Sequence, residues 1–155
     1  MTTHLPTVTL YLPGMQLVNA ANAREHHMVR ARRAKAQRAA AYLRLMSLSH
    51  ARAFGVRPAT PRRPRSIAWP MPCVVTIVRV GPRLLDDDNL AVSAKAVRDG
   101  LADAFGVDDG PTGGVSWRYE QRKGRQATRN PPRRAEYGVE VRIEAATAAE
   151  RHAHG

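Results

Sequence analysis

The chain has 155 residues, and 25 Lys and Arg against 13 Asp and Glu give it a formal charge of +12. That length buries roughly 70% of the unfolded surface, which supports one core and excludes two large domains, while the lone Cys73 excludes an intrachain disulfide framework and a thiolate zinc site. No apolar run approaches the roughly 18 residues a membrane span needs, and no basic stretch followed by an apolar one opens the N-terminus, so no membrane partner and a cytoplasmic, reducing setting are expected.

Thr7 to Leu12 (TVTLYL) alternates and is β-branched, which predicts a first strand ended by Pro13-Gly14. A stretch rich in Ala and Arg, free of Gly and Pro, then predicts a long helix from about 21 to 48. Val29, Ala36, Ala40, Leu43 and Met46 recur at helical spacing as its core face, with Arg30, Arg33, Gln37 and Arg44 on another side. Residues 55–72 hold five Pro and four Arg and read as an extended connector, ordered only on a partner; its Ile67, Trp69 and Met71 either pad the core or form an interface. Cys73 to Val80 (CVVTIVRV) reads as a central strand buried on both faces.

After a turn at Gly81-Pro82, Leu90, Ala94, Val97, Leu101 and Phe105 define an amphipathic helix over 89–105, stopped by Gly106. Ser116 to Arg122 and Gly138 to Glu144 alternate as two further strands, joined by an Arg-rich loop; in the former, Trp117 and Tyr119 are expected to be buried. Residues 146–155, with His152 and His154, form a frayed tail. The fold class that follows is α+β: a small mixed sheet of about four strands packed with two main helices in the order β-α-β-α-β-β.

The charges are unevenly placed. All seven Asp (Asp86, Asp87, Asp88, Asp99, Asp103, Asp108, Asp109) fall within 86–109 with only Lys95 and Arg98 among them, a net −5, so the remainder carries +17. Three of the cations are Lys and the rest Arg, the side chain suited to bidentate phosphate contact. Arg24, Arg30, Arg33, Lys35 and Arg38 in and before the first helix, and Arg62, Arg63 and Arg65 in the connector, are therefore candidate nucleic-acid contacts, the alternative being a solvated basic surface. Clustered acids repel one another and need neutralising, either by Arg side chains folded over them or by a cation.

On an extended chain Asp86 and Asp88 would share a face, and Asn89, or Asp88 itself, would cap the following helix. Oxygen donors without His or Cys favour Mg²⁺ or Mn²⁺. An EF-hand loop does not fit, because its fifth and twelfth positions from Asp86 would be Leu90 and Val97. Helix 89–105 would span roughly 25 Å, so the rest of the fold must bring Asp86 and Asp88 to Asp108 and Asp109. Lys95 and Asp99 are four apart and form either an ordinary ion pair or a group that stabilises phosphate charge and positions a water. His26 and His27, after Glu25, read as capping or phosphate contacts.

The run RLLDDDNLAVSAKAVRDGLADAFGVDDG resembles the core of the RusA-type Holliday junction resolvases, above all their phage-derived branch, through D-x-D-N at Asp86, Asp88 and Asn89, K-x-x-x-D at Lys95 and Asp99, and D-D at Asp108-Asp109. The N-terminal YLPGMQLVNAANAREHHMVRARRAKAQR is similar to the family's L-P and N-x-x-x-R opening, with EHH in place of E-H-W, so the resemblance runs from about 9 to 144. One spacing departs: Asn89 and Lys95 are six apart, where the best-known branch has three, nearly one extra helical turn.

The resemblance implies a prokaryotic or phage-encoded, Mg²⁺-dependent endonuclease, a homodimer that places paired nicks in branched DNA. It assigns catalysis to Asp86, Asp88, Asp109 and Lys95, and metal binding to Asp86, Asp88 and Asp109 with Asp108 as the alternative. A non-catalytic DNA- or RNA-binding protein, with structural acids, is the competing expectation.

Overall fold

A computed structural model describes residues 7–18, 24–51 and 55–147. Its elements in chain order are β1 (Val8–Pro13), α1 (His27–Ala51), β2 (Val56–Arg57), β3 (Ser66–Ile67), β4 (Cys73–Gly81), α2 (Asp87–Ser93), α3 (Lys95–Phe105), a short 3-10 turn at Pro111–Gly113, β5 (Val115–Lys123), β6 (Thr128–Arg129), β7 (Pro132–Arg133) and β8 (Gly138–Ala145). The fold is α+β, with a four-stranded mixed sheet in the order β1-β8-β4-β5. β8 runs antiparallel to both β1 and β4, and β4 runs parallel to β5. β1, β4 and β5 therefore point the same way, and their carboxyl ends share one rim of the sheet.

β4 is buried along its whole length. Its Cys73, Val75 and Ile77 join the core under the helices with Val139, Val141 and Ile143 of β8. On the opposite face the register sets Val78 beside Glu120 and Glu140, and Thr76 beside Arg118 and Arg142. Arg142 reaches over β4 to bond Glu120 and also lies 3.3 Å from Glu140. Paired charges thus roof a β-branched strip, and the strand is dry on one side and covered by long side chains on the other.

The core face of α1 matches the expected one at Met46 and Ala40 and differs elsewhere. Ala41, Leu45 and Met46 are buried, but Val29 is 50% and Leu43 63% exposed, and Ala36 is exposed. Gln37, assigned to the polar side, is 9% exposed and donates to the Gln16 carbonyl at 2.7 Å. The reason lies in α3. A Cβ on Gly100 would stand 2.2 Å from the Arg38 carbonyl oxygen and 3.1 Å from the Ala41 Cβ, so only a glycine permits this approach, and it turns the Arg38–Ala41 side of α1 inward.

The expected single helix 89–105 is two helices, starting at Asp87 and interrupted at Ala94. Ser93 Oγ donates to the Leu90 carbonyl at 2.7 Å, the same oxygen that accepts from Ala94 N–H at 3.1 Å; such back-bonding bends helices. Gly106 stops α3 as predicted, in the left-handed region with φ 69°.

The connector is not an extended linker. β2 pairs antiparallel with β3, and Thr60 bridges Arg63. Ile67 is 2% and Trp69 6% exposed, with the Trp69 ring edge-on to Phe105 at 6.1 Å. These two anchor the hairpin in the core and are not interface residues; Met71 is 37% exposed. The Arg-rich loop after β5 contains the β6–β7 hairpin. Trp117 and Tyr119 are half-buried against the core. His152 and His154, and most of the expected frayed tail, lie outside the described residues.

Candidate functional site

Asp86 sits at the end of the loop from β4, in extended conformation (φ −67°, ψ 151°), and its carbonyl accepts from Leu90 N–H at 3.0 Å. It is the N-cap of α2 by position, correcting the assignment to Asn89 or Asp88, and its carboxylate makes no capping hydrogen bond. Asp87 and Asp88 belong to the first turn, where carboxylates suit the positive helix end. At about 100° per residue the two-residue step from Asp86 no longer gives the same-face pairing of a strand. Asp86 and Asp88 are exposed and Asn89 is half-buried.

The closing acidic pair divides. Asp109 turns back along α3: Arg98 Nη2 donates to its Oδ2 at 2.9 Å, and Lys95 Nζ lies 3.9 Å from the same oxygen. Lys95, the first residue of α3, also bonds both oxygens of Asp99 at 3.0 and 3.1 Å. Arg98 Nη1 donates to the Tyr119 hydroxyl at 3.3 Å. Burial lowers the pKa of this guanidinium, but the Tyr119 contact and the charges of Asp109 and Asp99 outweigh it, and the net direction is upward. Asp108 faces the other way, 3.4 Å from Arg63 Nη2, while Arg63 Nη1 donates to the Gly106 carbonyl. Of the two, Asp109 is the one brought to Lys95.

β5 links the two acidic segments. The Gln121 side-chain amide accepts from Leu85 N–H at 2.8 Å and donates to the Leu85 carbonyl at 2.6 Å, clamping the residue before Asp86. Tyr119, two residues earlier on the same face of the strand, holds the Arg98 that holds Asp109. Those anchor residues are about 7 Å apart along an extended strand, so both acidic segments are tied to the same stretch of β5. Among the described residues, no group of three or more His, Cys, Asp or Glu side chains is close enough to hold a metal ion. The donor chemistry nonetheless suits a hard divalent cation: Asp86 and Asp88 offer exposed oxygens, and Asp109 would have to exchange Arg98 for the cation.

The predicted basic residues fall into two groups. Arg30 and Arg33 line a cavity of about 300 Å³ together with Lys95, Asp99, Val18 and Val92; Arg33 is held at 2.6 Å by Glu25. Arg24, Lys35, Arg62 and Arg65 are exposed. Arg38 instead ties α1 to α3 through two bonds to Asp103 at 2.7 and 2.9 Å, and Arg63 ties the connector to Asp108. At the start of α1, Met28 N–H donates to His26 Nδ1 at 3.3 Å, a capping contact, with the His27 ring 4.3 Å from the His26 ring. Sequence reasoning passed over Tyr119 and Gln121, whose role depends on strand register, and Arg98, whose partner lies beyond the turn that ends α3.

Comparison of the chain with protein-family models, curated proteins and solved structures finds no match in any of the three. Among the described residues no helix is long and apolar enough to cross a membrane.

Proposed function

We propose that the protein is a divalent-metal-dependent endonuclease acting on branched, four-way DNA, with Asp86, Asp88 and Asp109 as the acids and Lys95 as the cation beside the scissile phosphate. What supports the reading is the cavity in which the α1 residues Arg30 and Arg33 meet Lys95 and Asp99, with Asp109 3.9 Å from Lys95: backbone-binding charge and an acidic centre adjoin. Arg30 and Arg33 hold flanking phosphates and Lys95 offsets charge on the phosphoryl oxygens in the transition state. Mg²⁺ or Mn²⁺, held by the three carboxylates, would supply Lewis acidity and an activated water. Paired nicks require two copies of the site, so a two-fold homodimer belongs to the proposal, as does a cytoplasmic setting.

One observation favours the alternative, a DNA- or RNA-binding protein without catalysis. Asp109 is neutralised by Arg98, and Asp99 by Lys95, as purely structural acids would be. A synthetic four-way junction incubated with Mg²⁺ separates the two. Nicking by the wild type, reduced about 10²–10³-fold in Asp88→Asn with binding retained, is the expected outcome; binding without nicking by the wild type establishes the alternative.

A further inference from the structure

Arg79 is the one charged residue in an otherwise apolar or hydroxyl-bearing strand, and it is 6% exposed. Its Nε donates to the Leu17 carbonyl at 3.1 Å and its Nη1 to the Arg83 carbonyl at 2.6 Å. Both acceptors are neutral, and among the described residues no carboxylate pairs with it. Burial accordingly lowers its pKa, opposed only by the nearby Tyr137. A buried cation without a counter-charge is costly, and two carbonyl bonds satisfy only part of a five-donor fork.

The guanidinium borders a cavity of about 480 Å³ whose wall includes Arg83, Gln126, Tyr137, Leu85 and Val18 and contains no acidic residue. This is the position where ligands collect in sheets with parallel strands, outside the carboxyl ends: the wall draws on segments that follow β1, β4 and β5. Leu85 joins the cavity to Asp86 in the chain, and Val18 is shared with the cavity that holds Lys95. The loop that contributes Gln126 and Ala135 also carries Arg125, Arg129, Arg133 and Arg134, all exposed.

We propose that this cavity is a second phosphate site, in which Arg79 and Arg83 receive a backbone phosphate of the bound nucleic acid while the arginines of the β6–β7 loop hold its neighbours. The inference rests on the nucleic-acid reading above and adds to it a contact surface separate from α1. A phosphate would supply the missing counter-charge and accept the donors that the two carbonyls leave over.

The test uses the full-length protein in EDTA, so that binding is read without cleavage. Anisotropy of a fluorescein-labelled duplex is measured across a salt series for wild type, Arg83→Gln and Arg79→Lys, with circular dichroism confirming the fold of each. The slope of log K against log salt, which is negative, is expected to become shallower by about one in Arg83→Gln, a result that holds even if Arg79→Lys does not fold. In ¹⁵N-arginine-labelled protein the Arg79 Nε–H resonance is expected to shift on addition of the duplex. An unchanged slope in Arg83→Gln together with an unmoved resonance overturns the cavity proposal while leaving DNA binding intact. A resonance moved by inorganic phosphate but not by duplex makes the cavity a small-anion site and overturns the backbone assignment. A wild type that does not bind the duplex overturns both readings before any variant is made.

Discussion

The seam between α1 and α3 and the charged rim at the carboxyl ends of the strands use the same two helices for opposite purposes. At the seam, Gly100 presses on the Arg38 carbonyl and Ala41, and Phe105, Leu101 and Leu45 are sealed from water. At the rim, Arg30, Arg33, Lys95 and Asp99 surround open space. Close packing makes every methylene count at the seam, whereas exposed ion pairs contribute about 0–1 kcal/mol. Stability and the proposed ligand recognition thus fall on different stretches of the same helices, and substitutions should separate them.

The largest effect is expected from Phe105→Ala, which empties the space against Trp69 and should cost about 3–5 kcal/mol in urea unfolding; a loss under about 1 kcal/mol would mean that the seam is loosely packed. Gly100→Ala comes next. Its Cβ meets backbone, which cannot swing aside as a side chain would, and overpacking of this kind costs about 1–3 kcal/mol. Cys73 sharpens the contrast from the sheet side. Burial pushes its thiol up to about 12, so in the native protein it should not react with a thiol reagent at pH 8, while the urea-unfolded chain should react readily. The linked stability is complete below the ordinary thiol range near 8.5 and is lost as pH rises toward 12, because only the unfolded chain ionises in that interval. The smallest effect belongs to Lys95→Met, expected to change the unfolding free energy by less than about 0.5 kcal/mol despite its place in the proposed chemistry. A large destabilisation there would mean that rim and seam are one structural unit.

How far the molecule could be read from its residues follows the same division. β4 was legible because a nine-residue buried strand leaves a near-continuous β-branched run, and Gly106 because a left-handed stop needs a residue without a Cβ. The face of α1 was not: its Ala and Arg alternate so evenly that several stripes compete, and the choice was made by Gly100 on another helix. The break at Ala94 was hidden because Ala is the strongest helix former and the cause is a hydroxyl one residue earlier. The connector misled because its Pro and Arg outnumber Ile67 and Trp69, the two side chains that anchor it. In the site, the residue types were legible and the contacts that hold them were not. Asp109 reaches Lys95 through Arg98, and Leu85 is fixed through Gln121, both set by the register of β5.

The place of β8 in the sheet bears on how the protein is made. β1 and β4 are not neighbours in the sheet; between them lies β8, the last strand among the described residues, with Val8 opposite Ile143 and Val75 opposite the same Ile143 on the other side. Until residues near 145 leave the ribosome, the two earlier strands have no common partner and each presents an open hydrogen-bonding edge, a hazard that sheets otherwise avoid. A nascent chain halted before Gly138 would hold its two halves through the packing of α1 on α3, with no strand to join β1 to β4.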